Sequence, residues 1–148
     1  MTDARNSYRE SLVRGATPVR LVILLYEQII EDLRGAAKAV ESNQVEKRTN
    51  ALNHAILIIG HLENKLNHQA GQEVARNLQR FYDLSRRKLL DAQFQRSKQI
   101  IEEQISLYLD LRETWLRVEH DEKARLLATA PASTDDLAGS RNHTDWKV

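Results

Sequence analysis

The chain has 148 residues, 22 basic against 21 acidic side chains, five Gly, two Pro and no Cys. That length suits one domain that buries a core without staples, and the lack of Cys removes disulfides, thiol catalysis and thiolate metal sites. A net charge of +1 with 5% aromatic residues argues against a nucleic-acid binder, which needs a basic surplus or stacking platforms.

Residues 1–16 are polar, with Tyr8, Leu12 and Val13 as their only sizeable apolar groups. They carry no apolar signal core, so the expected compartment is the cytoplasm. They read as a short N-terminal cap segment, too short to fold alone, that docks on the rest.

Thr17-Pro18 is a strong helix start, because Thr caps free N–H groups and Pro at the first position loses no hydrogen bond. The helix runs to about Glu41 and tolerates Gly35. Leu21, Val22, Ile23, Leu25, Tyr26, Ile29, Ile30 and Leu33 fill roughly 200° of its wheel, against about 100° for an ordinary one-sided helix. This helix is therefore expected to be central and flanked on two sides.

A polar break at Ser42-Asn43-Gln44 precedes a second helix, about Val45 to Asn67. Its core stripe is Leu52, Ile56, Ile59, Leu62 and Leu66. Leu57 and Ile58 fall off that stripe, among His54, His61 and His68. Branched apolar residues outside a core stripe suit either cover by a flanking helix or a groove for a partner helix. The histidines repeat every seven residues, about 10.5 Å along a helix, too far for one ion, so no metal site is expected.

A third helix, about 72–95, presents Val74, Leu78, Phe81, Tyr82, Leu89 and Ala92. Ser97 caps a fourth, about 98–128, with Ile101, Ile105, Tyr108, Trp115 and Val118 inward. Short connections make neighbours antiparallel, so the expected fold is all-α, an antiparallel four-helix bundle over residues 17–128. Residues 76–98 hold seven basic and two acidic side chains, and residues 99–122 two basic and seven acidic. Net charges of +5 and −5 favour pairing of these two helices. Residues 129–148 are small and polar apart from Trp146 and read as a disordered tail.

No apolar run approaches the about 18 residues of a membrane span. Arg86-Arg87-Lys88 suits phosphate contact, but the acidic helix that follows accounts for those charges without a ligand. His61-Leu-Glu-Asn-Lys65 is one residue out of step with a phosphotransfer bundle and lacks the Gly that follows there. No Gly-rich loop, paired carboxylates or Ser-His-Asp set marks an enzyme, and no cofactor is expected.

The order of short motifs is more specific than any one of them. Tyr8 precedes Ala16-Thr17-Pro18 and Leu25-Tyr26-Glu27. Ala55-Ile-Leu-Ile-Ile59 follows, then Gly71-Gln-Glu-Val-Ala75-Arg-Asn77-Leu78 running into Phe81-Tyr82-Asp83. Leu89-Leu-Asp-Ala92-Gln93 and Leu111-Arg-Glu-Thr-Trp115 close the series. Over about residues 6–118 this resembles the FliS family of flagellar secretion chaperones. Thr17, Glu27, Phe81 and Gln93 are mild departures. Gln28, where the family usually has Gly, removes a close-packing site.

The resemblance implies a cytoplasmic chaperone that binds the C-terminal segment of flagellin, prevents premature polymerisation and docks on the flagellar export gate. No nucleic acid, metal or catalytic step enters. The candidate partner-binding residues are Tyr8, Tyr26, His54, Leu57, Ile58, His61 and Lys65. The cap segment is expected to shield part of the flagellin groove and to free Tyr8 for the gate once displaced. The alternative is a helical-bundle adaptor for another secreted or signalling protein.

Overall fold

The computed structural model describes Gly15 and residues 17–129; the cap segment with Tyr8, Leu12 and Val13, and the tail with Trp146, lie outside the described residues. Four helices follow one another: α1 (Pro18–Glu41), α2 (Val45–Asn64), α3 (His68–Gln95) and α4 (Lys98–Thr129). α1 packs most extensively against α2 and α4, and α3 closes the ring between those two. The expected antiparallel bundle is the observed one.

Local chemistry sets the boundaries. Thr17 accepts a hydrogen bond from the Arg20 N–H at 3.1 Å, and Pro18 opens α1 as its sequence implies. α2 stops three residues earlier than expected, at Asn64, so His68 begins the next helix. There Asn67 caps the chain, accepting from the Ala70 N–H at 3.0 Å. One turn later Gln72 leaves helical geometry at φ 31°, ψ −98°. The break expected before residue 72 is thus a capped turn followed by a kink. Arg96, left-handed at φ 53°, turns the chain within two residues into α4.

The core has two layers of chemistry. Val22, Ile23, Ile29, Leu33, Leu52, Ile59, Leu62, Leu89 and Ile101 form its apolar mass, with Trp115 nearly enclosed. Aromatic rings and hydroxyls fill its middle. The Tyr26 and Tyr82 hydroxyls share a hydrogen bond of 2.7 Å from α1 to α3. The Ser85 hydroxyl lies 2.7 Å from both Gln104 Oε1 and the Tyr108 hydroxyl, tying α3 to α4. Phe81 meets Tyr108 edge-on at 5.3 Å. Among the described residues every buried side-chain polar atom has a partner, so this network costs nothing in orphaned groups.

The stripes need two corrections. Ile58 belongs to the core cluster, while Val74, expected inward, is exposed. Ser85, Gln104 and Glu119 are buried although polar, because each has a hydrogen-bond partner.

Ion pairs fix the α1–α4 seam. Arg20 binds Glu119 through two guanidinium nitrogens, Nε donating to Oε2 at 2.8 Å and Nη2 to Oε1. Arg112 Nε donates to Glu27 at 2.8 Å, and Lys98 pairs with Glu41. The α1 members are seven and fourteen residues apart, and so are their α4 partners. Heptad spacing returns a helix to nearly the same face, so all three pairs mark one register. The opposite charges of α3 and α4 do not meet this way; their hydrogen bonds are the neutral Ser85–Gln104 and Ser85–Tyr108 contacts. Glu63 of α2 instead takes Arg86, and Gln79 at 2.5 Å.

Burial pushes the Tyr26 phenol up to about 12, and it also holds those of Tyr82 and Tyr108 well above the usual value of 10. Above pH 10 the unfolded chain releases these protons while the fold retains them, so stability falls as pH rises through that range. Tyrosinate absorbance from these three residues is expected to appear together with loss of helical circular dichroism. Ionisation that precedes unfolding would place the hydroxyls in solvent.

Candidate functional site

The outer face of α2 carries the sequence-predicted residues that remain accessible. At 100° per residue His54, Leu57, His61 and Lys65 fall within roughly 80° of its wheel, and all four are exposed. Leu57 is 56% accessible, an isobutyl group in water between two imidazoles. Lys65 caps the C-terminal end of α2, where a cation suits the helix dipole.

This face adjoins α1 through one contact that the sequence does not announce. His54 Nδ1 lies 2.6 Å from Asp32 Oδ2. Gln28 Nε2 donates to the other oxygen of Asp32 at 3.0 Å. Burial raises the Asp32 carboxyl above its usual value, against the pull of the His54 and Gln28 hydrogen bonds. Gln28, the departure that removes a close-packing site, thus holds the carboxylate that orients His54. The i, i+4 spacing of Gln28 and Asp32 on one helix was the available signal.

Two predicted partner residues are not on this surface. Ile58 is 8% accessible and packs in the core cluster, because it sits at the inward edge of α2. Tyr26 is fully buried and its hydroxyl is committed to Tyr82. Neither meets a partner directly while the bundle is closed. Tyr8 lies outside the described residues.

The stripe analysis passed over other exposed apolar side chains. Leu84, Leu90 and Phe94 on α3 and Leu107 on α4 stand in solvent, Phe94 at 93%. Phe94 lies far from the α3 core residues on the wheel, a position that periodicity alone marks as unpartnered. Among the described residues no group of three or more His, Asp or Glu is placed to hold a metal ion. No described helix is long and apolar enough to cross a membrane. The site offers apolar area at Leu57 framed by His54, His61 and Lys65.

Residues 1–122 match the sequence model of a family described as flagellar protein FliS. The chain belongs to the FliS family. It is 34% identical over 110 residues to the flagellar secretion chaperone FliS of Salmonella typhimurium, covering 74% of this chain and 82% of that protein. It is 32% identical over 111 residues to flagellar secretion chaperone FliSB of Pseudomonas aeruginosa, covering 75% and 88%. The Bacillus subtilis flagellar secretion chaperone FliS is 27% identical over 117 residues, covering 79% and 86%. The resemblance carried by the motif series is thereby borne out, and the FliS match takes in the segment that contains Tyr8.

The split between Leu57 and Ile58 is directly measurable. Ile58→Ala should cost about 2–4 kcal/mol in urea unfolding, as a buried truncation does. Leu57→Ala should stay within about 0.5 kcal/mol of the parent, as exposed substitutions do. Equal losses would mean that both side chains are packed.

Proposed function

We propose that this chain is a cytoplasmic flagellar secretion chaperone that binds the C-terminal segment of flagellin, holds it back from premature polymerisation and delivers it to the flagellar export gate. The observation that carries this reading is the FliS family match across residues 1–122. The surface supports it physically. A disordered segment that folds on binding pays an ordering cost, which a preformed helical face with exposed apolar groups offsets.

The α2 face supplies such groups. Leu57 would be buried by an incoming amphipathic helix, with His54, His61 and Lys65 framing it. Asp32 and Gln28 hold the His54 ring in place before the partner arrives, so less side-chain freedom is lost on binding. Tyr26 contributes from inside the core by fixing α1 against α3. Tyr8 is assigned to the export gate, exposed to it once flagellin displaces the cap segment from the groove. No bond is made or broken in this cycle.

Calorimetry with purified flagellin tests the reading. Parent protein should bind full-length flagellin and fail to bind flagellin lacking its C-terminal segment. Leu57→Ala should weaken binding by about 1.5–3 kcal/mol, the worth of one buried branched side chain. Equal binding of the truncated flagellin would reject the assigned segment, and failure to bind flagellin at all would favour an adaptor for another cargo. Deleting residues 1–14 should leave flagellin binding intact or tighter while reducing flagellin export in cells. Loss of flagellin binding on deletion would make those residues part of the cargo site.

A further inference from the structure

Where α2 begins and α3 finishes, a cation sits in the core without an acid. Arg48 follows the buried stripe of α2, four positions before Leu52 and seven before Ala55, and is 6% accessible. Its Nε donates to Gln93 Oε1 on α3 at 3.1 Å. That is its one side-chain hydrogen bond among the described residues, and no carboxylate among them pairs with it. Glu41 is held by Lys98. Glu46 and Asp91 stand two positions from Arg48 and Gln93, which turns them about 200° away on their helices, and both are exposed.

The guanidinium is held in one orientation. Gln93 Nε2 donates to Thr49 Oγ1 at 2.6 Å, and that hydroxyl donates to the Val45 carbonyl at 2.9 Å. The Gln93 amide therefore keeps its carbonyl turned to Arg48, and Nε is spent. The two Nη nitrogens carry the other four of the five guanidinium N–H groups. Neither has a partner among the described residues, yet no buried side-chain nitrogen there is left without one. Both Nη must therefore reach the surface, through an opening as narrow as a 6% exposure allows. The helix ends do not neutralise the charge. α1 and α3 end here while α2 and α4 begin, and their terminal dipoles, about half a charge each, cancel.

A buried cation is costly to hold without a counter-charge. A guanidinium with Nε fixed and its Nη edge open complements a carboxylate, whose two oxygens accept parallel N–H bonds. One charge meets one charge. A phosphate dianion would bring a second negative charge, and Arg48 is the one buried cation among the described residues. We infer that Arg48 is a receptor for a carboxylate supplied from outside the chain, gripped by both Nη nitrogens while Gln93 and Thr49 hold the guanidinium in place. Leu57, nine positions further on, lies about 180° round α2, so the site stands apart from the proposed cargo face. Its carboxylate comes either from an acidic group of bound flagellin or from a small carboxylate in solution.

Nuclear magnetic resonance of the full chain tests this through the Arg48 Nε–H signal, assigned by its loss in Arg48→Met. Sodium acetate, compared with sodium chloride at equal ionic strength, should move that signal saturably in the parent. It should also raise the melting temperature by at least about 2 °C, as a ligand of the folded state does. Arg48→Met should show no acetate-dependent rise. Arg48→Lys keeps the charge but loses the fork, so it should need at least about tenfold more acetate, and it carries the same test if the methionine variant fails to fold. A peptide of the flagellin C-terminal segment separates the two sources. If cargo supplies the carboxylate, saturating peptide should move the Nε–H signal itself and abolish the response to acetate. If the ion is a free carboxylate, the acetate response should persist with peptide bound. A parent indifferent to acetate, or variants that respond as the parent does, would overturn the site whether or not flagellin binds.

Discussion

The breadth of the apolar arc on α1 governs this molecule. A helix apolar over roughly 200° cannot be satisfied by one neighbour. It takes α2 on one flank and α4 on the other, which forces a chain end to meet a chain beginning across the whole bundle. α3 is then left opposite α1, touching it through the paired hydroxyls of Tyr26 and Tyr82 at the centre. Heptad-spaced ion pairs and the Ser85 network decide how far each helix slides relative to the next. Apolar burial selects the arrangement, and the polar contacts select its register.

That division explains what was legible in the sequence. The four helices, their order and most of the core follow from 3.6-residue periodicity and from Thr17-Pro18 and Ser97 as caps. The same periodicity misplaced Ile58, because a residue at the margin of a stripe is assigned by its neighbours in space. Val74 failed for a related reason: it is apolar and correctly phased, but lies near the kinked start of α3 where little packs upon it. Buried Ser85, Gln104 and Glu119 were invisible to a hydrophobic pattern, since only their partners make burial tolerable.

The candidate site was legible in a different way. His54, Leu57, His61 and Lys65 share one exposed face as their spacing implies, yet nothing in that spacing names Asp32. A contact between helices joins residues 22 positions apart, and a single sequence carries no mark of it. Family membership was readable because it depends on ordered motifs along the chain. Tyr26, prominent in those motifs, turned out to be a core residue, which shows that a motif residue can maintain the scaffold that presents a surface.

The pairing of α1 with α4 also orders events at the ribosome. α1 emerges first and is the most apolar helix, yet its second flank stays uncovered until residues 98–129 have followed. α2 shields one side early through local contacts. For the remaining stretch of translation the nascent chain displays a long oily stripe that no described helix yet covers, a state prone to association with other chains. Closure arrives with Arg112 and Glu119 on the last helix, so a message truncated before that point yields a product that is apolar on its outside.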